Sequence, residues 1–474
     1  MISLIYEFDN VRDLKITYIG GGSREWARLF MSDLALEPKL SGRVALYDIN
    51  HEAAKNNAII GNLMSDEKWI YEVATNLEES LLGADFVVIS IQPGTFNEME
   101  SDVHTPERLG IYQAVGDTTG PGGIMRSLRT IPMYVEIASA IKKIAPKSWV
   151  INYTNPMSMC MKTLFHVFPE IKAFGCCHEI FGTQEVLRKI AEQELGLTDL
   201  TRQDIKVNVL GVNHFTWLDK ASVKGYDLFP VYEKFVNENL VDGFVTEKNA
   251  RSSVFDCLHR VKFDLFNKYK YIAAAGDRHL AEFVSYKDYL SSPDEVEKWG
   301  FKLTPVSWRA AELVEKEART LRLASQEEKI EIKSSGEEGV LLIKALCGLG
   351  DIISNVNIPN YALQIANIAS DAVVETNALF GRDSIRPVFA GVLPDELYKL
   401  TKPHIDNQNI VLEAALKYDL DKVVDAMCND PLIKGQFTKS EVYNLAIEMI
   451  KNTLEYLPDE WRMIIDENLK RYND

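Results

Sequence analysis

The 474-residue chain predicts an α/β fold: a Rossmann-like, doubly wound sheet joined to a second, mixed α+β and helix-rich domain. Three observations carry this expectation. Apolar strand-like runs alternate with helix-period segments through the first part of the chain. A glycine turn, Gly20-Gly21-Gly22, follows the first such strand. Side chains able to do chemistry fall just past the ends of successive strands, where open parallel sheets bind ligands.

The elements follow in order. Residues 15–19 form a strand that leads into the glycine turn, then a helix with Trp26, Leu29, Phe30 and Leu34 on one face. A strand over 43–47 ends in Asp48, and a helix begins at about His51. A third apolar strand, 85–90, ends in Gln92-Pro93-Gly94. A helix over about 129–144 precedes the strand 149–152 and Asn155-Pro156, and the strand 173–175 precedes Cys176-Cys177-His178. Such alternation implies parallel pairing through right-handed crossovers. Beyond about Asn208 short strands mix with long helical stretches, predicted over 355–378, 408–427 and 439–457. The chain therefore divides into a nucleotide-binding domain, 1–205, and a substrate-binding and subunit-contact domain, 206–474. The Lys-, Glu- and Ser-rich segment 324–338 reads as a solvated connection.

Composition narrows the function. With 46% hydrophobic and 26% charged residues the chain is an ordinary folded protein. Its net charge of −17, with no concentrated basic stretch, argues against nucleic acid as a partner. The segment 1–13 resembles neither a secretory signal nor an anchor, and no apolar run is long enough for a bilayer, so no membrane association and a cytoplasmic location are expected. Six scattered cysteines show no disulfide framework and are expected to be reduced.

In the first turn, Gly20 and Gly22 let backbone amides approach a pyrophosphate at a helix N-terminus, with Ser23 beside them. Glu25 stands where the third glycine of the dinucleotide fingerprint would be. Asp48, closing the second strand, can accept from an adenosine ribose and repel a 2′-phosphate, which favours NAD over NADP. Alone, this turn suggests a plain sugar or hydroxy-acid dehydrogenase.

Cys177 and His214 each lie just past an apolar strand, and a thiolate and an imidazole can share a divalent ion. A lone cysteine is more often core, however, and a lone histidine a satisfied polar group. Two glycine-bearing loops add carboxylates, Asp117 in Gly116-Asp117-Thr118-Thr119-Gly120 and Asp277 in Ala275-Gly276-Asp277-Arg278-His279. Either loop could equally be a simple Asx turn.

Together these stretches resemble glycoside hydrolase family 4, whose members depart from two-carboxylate hydrolysis. The resemblance runs from about Lys15 to the last helices, and Cys177-His178-Glu179-Ile180 looks like the α-galacturonidase branch. It implies a small sugar-acid substrate, NAD, and manganese or another divalent ion held by Cys177 and His214 against the sugar hydroxyls at C2 and C3. It further implies hydride transfer from C3, proton loss at C2, elimination of the aglycone, addition of water and return of the hydride. By the same resemblance His178 is the acid for the leaving group, Asp277 the best local match for the C2 base, and Asp117 its support. Tyr271 and His279 flank Asp277, and several relatives use a tyrosine as base. Asn155 and Glu179 would contact the substrate, and Arg126, Arg278 or His279 would meet its carboxylate. α-Glucuronidase and α-galactosidase remain open within the family, and a homo-oligomer, dimer or tetramer, is expected.

Overall fold

A computed structural model describes residues 5–7, 9–245, 254–255 and 257–473. The main sheet contains β1 (Ile5–Glu7), β2 (Asn10–Ile19), β3 (Leu40–Tyr47), β4 (Trp69–Val73), β5 (Phe86–Ile89), β6 (Trp149–Asn152) and β7 (Lys172–Gly175). From β2 to β7 the strands are parallel, in the spatial order β4-β3-β2-β5-β6-β7, so the order reverses between β2 and β5, where the glycine turn leaves the sheet. β5 is buried on both faces. Phe86 and Val88 pack with Phe30, Leu34 and Ile343 on one side, and Val87 and Ile89 with Tyr134, Ile137 and Leu164 on the other. Each such fully buried side chain stabilises the fold by about 1.5–3 kcal/mol.

The strand β4 has no counterpart in the expected elements. It lies at the sheet edge, where Trp69 and Tyr71 turn inward while Ile70 and Glu72 face solvent.

Residues 355–378, expected as helix, instead give two strands. β8 (Lys206–Val212), β9 (Phe215–Val223), β10 (Tyr226–Asp227) and β11 (Ile272–Ala273) form a separate antiparallel sheet, and the chain then returns to the main sheet as β12 (Ile352–Pro359), β13 (Val373–Gly381) and β14 (Ser384–Pro387). β12 pairs with β13 from Ile352 opposite Phe380 to Pro359 opposite Val373, and joins β7 through Asn357 opposite Gly175. Six consecutive residues of β12 are buried, which erases the two-residue alternation that marks a strand in sequence. The second half of the chain thus completes the sheet of the first, and residue 205 divides the connectivity more sharply than the structure.

The C-terminal helices Asp395–Lys417, Leu420–Asn429 and Lys439–Asn452 pack Val411, Val423, Met427 and Leu445 against Ile124, Leu128 and Ile131 of the long helix Gly120–Ile144. The stretch predicted as one helix, 408–427, breaks at Tyr418, which is left-handed, and Asp419 caps the next helix by accepting from the Lys422 N–H. Among the described residues no helix is long and apolar enough to cross a membrane.

Candidate active site

At the switch point Gly20 has φ +94°, and a Cβ there would stand 1.9 Å from the Ser90 carbonyl oxygen. A Cβ on Gly22 would meet the Asp48 carboxyl at 2.9 Å. Only glycine lets the turn run this close to the ends of β3 and β5. Asp48 accepts from the N–H groups of Gly22 and Asn50, both at 2.8 Å, and Asn57 donates to the carbonyls of Gly21 and Ser23. The helix Trp26–Leu36 starts immediately beyond. Backbone without side chains, a helix start and a carboxylate at the end of the second strand fit a dinucleotide without a 2′-phosphate.

The second group of residues assembles facing the main sheet. Asn213 and His214 make the two-residue turn between β8 and β9, with His214 at φ +58°, a conformation uncommon for a bulky residue and frequent at functional sites. Asp117 precedes the helix Gly120–Ile144, and His279 lies in the short helix Asp277–Glu282. Asp117, His214 and His279 present ligand atoms within 4.8 Å of one another, and the two imidazole rings are 3.9 Å apart. Thr118 Oγ1 donates to Asp117 at 2.7 Å and lies 2.9 Å from His214 Nδ1. The hydroxyl has one proton, directed at Asp117, so His214 Nδ1 is assigned as donor and its Nε2 lone pair is left free. His279 Nδ1 is buried and has no hydrogen-bond partner among the described residues.

Electrostatics sorts these groups. Burial alone would raise the Asp117 carboxyl, but His279, His214 and Arg126 hold it well below the usual carboxylate range. Burial, with His279 beside it, lowers His214 to about 3, keeping it neutral as a ligand must be. Glu179 accepts from the Gly276 N–H at 2.6 Å and is held at about 2, the histidines 279, 178 and 214 overcoming the opposing effect of burial.

Cys177 is buried beside Asn213 and Glu375, within Coulombic reach of Glu179, and burial followed by Glu375 pushes its thiol far up in the metal-free protein. Asn355, on β12, donates to both the Cys177 carbonyl and Glu375, and Asn213 donates to the other Glu375 oxygen. A pair of neighbouring strands therefore supports both loops that bear Cys177 and His214. The carboxylate of Asp117 and the imidazoles of His214 and His279 are a donor set that suits a divalent transition metal, and the Cys177 thiol lies outside that group.

His178 is half-exposed, stacks on Trp26 at 5.7 Å and faces Glu337 at 3.3 Å and Glu179 at 3.9 Å. Burial opposes protonation, but the Glu337 hydrogen bond and the surrounding carboxylates raise it to about 9. It thus stands between the nucleotide turn's helix and the histidine cluster. Glu337 closes the segment expected to be only a solvated connection, and its neighbour Glu338 is buried against Arg202 and Ser354.

Asn155, preceding a cis peptide to Pro156, reaches Asp117 at 3.4 Å. Two expected residues point elsewhere. Asp277 is fully buried and accepts from the backbone N–H groups of Val261 and Lys262 at the start of the helix Arg260–Tyr269, among Cys257, His259 and the Lys262 ammonium. A carboxylate so engaged caps a helix, and Asp277 falls in a separate group with Cys257 and His259, not in that of Asp117, His214 and His279. Arg278 donates through Nε to the Lys302 carbonyl and through Nη2 to the Ala114 carbonyl and Thr304, which anchors two of its three nitrogens in the fold.

Sequence reasoning missed Thr118, Glu282, Arg309, Glu337 and Glu375. Glu282 accepts from the N–H groups of Val115 and Gly116 and so fixes the loop of Asp117. Glu375 lay hidden in the stretch expected to be helical. A signal was available only for Thr118, adjacent to Asp117 in the glycine-bearing loop.

The chain matches the model of family 4 glycosyl hydrolases over residues 15–193 and that of the C-terminal domain of the same family over 209–433. It is similar to an alpha-galacturonidase of Lachnoclostridium phytofermentans, 59% identical over 97% of this chain and 100% of that one. Among solved structures it is similar to the Bacillus subtilis protein lplD, with a TM-score of 0.89 and 48% identity over 92% of this chain and all of that one. It also shares its fold with a 6-phospho-alpha-glucosidase from gut microorganisms solved with NAD and Mn2+, with a TM-score of 0.77 and 20% identity over 93% of this chain and 98% of that one.

Proposed function

This chain belongs to glycoside hydrolase family 4, and from that premise we propose that it is an α-galacturonidase, releasing α-linked galacturonic acid from small oligosaccharides or glycosides by oxidation at C3, proton loss at C2 and elimination. The observation that carries this reading is the convergence of Asp117, His214 and His279 in one cluster, with Cys177 linked to it through Glu179 and His178 standing toward the glycine turn. The near relative at 59% identity supports the substrate.

Gly20, Gly22, Ser23 and Asp48 would hold NAD. His214, grouped with Asp117 and His279, would hold manganese, and Cys177, outside that group but within reach of Glu179, would be its thiolate ligand. When bound, NAD would supply hydride acceptance and return at C3, and the cation would supply Lewis acidity toward the oxygens on C2 and C3, lowering the barrier to loss of the C2 proton. The chain's own residues move the protons. His178, protonated at neutral pH, is suited to give its proton to the leaving oxygen. His279, with an unpartnered Nδ1 in the cluster, takes the C2 proton in place of Asp277, and Asp117 stabilises the charge it then carries. Asn155, which reaches Asp117, and Glu179, 3.8 Å from His279, would contact the sugar hydroxyls.

The test is a set of aryl α-glycosides, the galacturonide, glucuronide and galactoside, assayed with NAD and Mn2+. The galacturonide should be turned over fastest, and His214→Ala should abolish turnover while NAD still binds. Faster turnover of the galactoside, or full activity of His214→Ala, contradicts the proposal.

A further inference from the structure

We propose that Arg309, with Arg126 beside it, forms the subsite that receives the carboxylate of the sugar acid. The identity of the anion rests on the galacturonidase reading, while the existence of an anion subsite does not depend on the chemical steps.

Arg309 lies in the first turn of the helix Val306–Ala324, which is seated by Val306 packing on Met99, Val103 and Phe96. Its guanidinium rests over the Phe255 ring, 5.5 Å from the centroid, and shares that ring with Arg278 at 5.3 Å. Its Nε is buried with no hydrogen-bond partner, and among the described residues Arg309 makes no ion pair. Arg260 also has an unpartnered buried Nε but donates through Nη1 to the Lys298 carbonyl, and other inward-facing guanidiniums are matched. Arg129 meets Asp102, Arg202 meets Glu338, and Arg278 has two carbonyls and a hydroxyl. A desolvated cation left unmatched costs stability, and such costs persist where a ligand later offsets them.

Location ties this cation to the active site. Arg309 shares the Phe255 ring with Arg278, which precedes His279 in the chain and donates to the Ala114 carbonyl three residues before Asp117, and Asp117 and Arg126 lie within Coulombic reach of Arg309. Arg126 donates through Nε to the Asn155 carbonyl at 3.0 Å, the residue that also reaches Asp117. Asp117 cannot neutralise either arginine alone, since it already faces Thr118, Asn155 and two histidines. In a chain of net charge −17 this is a local excess of positive charge. A guanidinium with one face on an aromatic ring still offers its edge, and that edge matches the two coplanar oxygens of a carboxylate. A hydroxymethyl group at the same sugar position would leave the cation unmatched, so the subsite separates a uronide from a neutral hexoside.

The experiment measures binding and rate on the enzyme loaded with NAD and Mn2+, for the wild type, Arg309→Gln and Arg309→Lys. Calorimetry with galacturonate, galactose and galactose 6-phosphate reads the subsite directly. Arg309→Gln should weaken galacturonate by about tenfold or more and reduce the galacturonide-to-galactoside rate ratio by a similar factor, with Arg309→Lys recovering part of both. Unchanged galacturonate affinity, or equal weakening of galacturonate and galactose, overturns the proposal. Tighter wild-type binding of galactose 6-phosphate than of galacturonate overturns the carboxylate assignment. If the wild type binds galacturonate through Arg309 but cleaves no galacturonide, the subsite stands and the galacturonidase reading falls. If Arg309→Gln does not fold, the same comparisons are made on Arg309→Lys, where undiminished discrimination overturns the proposal.

Discussion

Two clusters of similar side chains, Asp117 with His214 and His279, and Asp277 with Cys257 and His259, differ in what their carboxylates face. Asp117 is approached by a hydroxyl, an amide and two imidazoles, with Arg126 and Arg309 within Coulombic reach. Asp277 is sealed against backbone N–H groups at a helix start. Their acidities diverge accordingly. The histidines hold Asp117 down, while burial raises Asp277 to about 6 despite the Lys262 ammonium. A glycine followed by an aspartate opens a functional loop in one place and caps a helix in the other, and the difference lies in partners far away in sequence.

The largest expected effect comes from breaking the open cluster. Asp117→Asn removes the charge that supports protonated His279 and should lower kcat by about 10²–10⁴-fold, measured under saturating substrate. A loss below tenfold would place that charge outside the reaction.

Asp277→Asn should act on the fold instead. Losing a buried, charged cap costs about 1–3 kcal/mol, seen as a lower denaturation midpoint, while kcat per folded molecule stays within a few-fold. A collapse of kcat at unchanged stability would restore Asp277 as the base and dissolve the contrast.

The smallest effect concerns Glu282 beneath the Asp117 loop. Burial raises its folded carboxyl to about 8, against an ordinary value of 4.5. The folded protein keeps this proton where the unfolded chain releases it, so the contribution is complete below about 4.5 and disappears as pH rises toward about 8. The melting temperature of the ligand-free protein should therefore decline across that window, and Glu282→Gln, which can still accept from Val115 and Gly116, should decline less. An equal slope in both would remove Glu282 as the cause.

The first half of the fold was legible because its strands are short apolar runs set off by glycine, proline and asparagine, and the residues of the nucleotide turn lie next to one another in sequence. Cys177, His178, Glu179, Asn155, Asp117, His214 and His279 were legible as motifs; the structure groups the ligand atoms of Asp117, His214 and His279 and leaves the Cys177 thiol outside that group. β12 and β13 were not, since burial on both faces leaves no alternation, and with them Glu375 and Asn355 were lost. The surroundings of Asp277 and Arg278 were hidden for a related reason: their loop motif names a residue type but not the backbone groups that come to meet it. Arg309 could not be singled out at all, because a guanidinium without a hydrogen-bond or ion-pair partner among the described residues is recognised only in three dimensions.

The central claim, that the C2 proton leaves the sugar during cleavage, is tested most directly by turnover of an aryl α-galacturonide in deuterated water with NAD and Mn2+. Deuterium at C2 of the released galacturonate is the expected result. Product carrying only its original hydrogen at C2 would contradict the oxidation and elimination route.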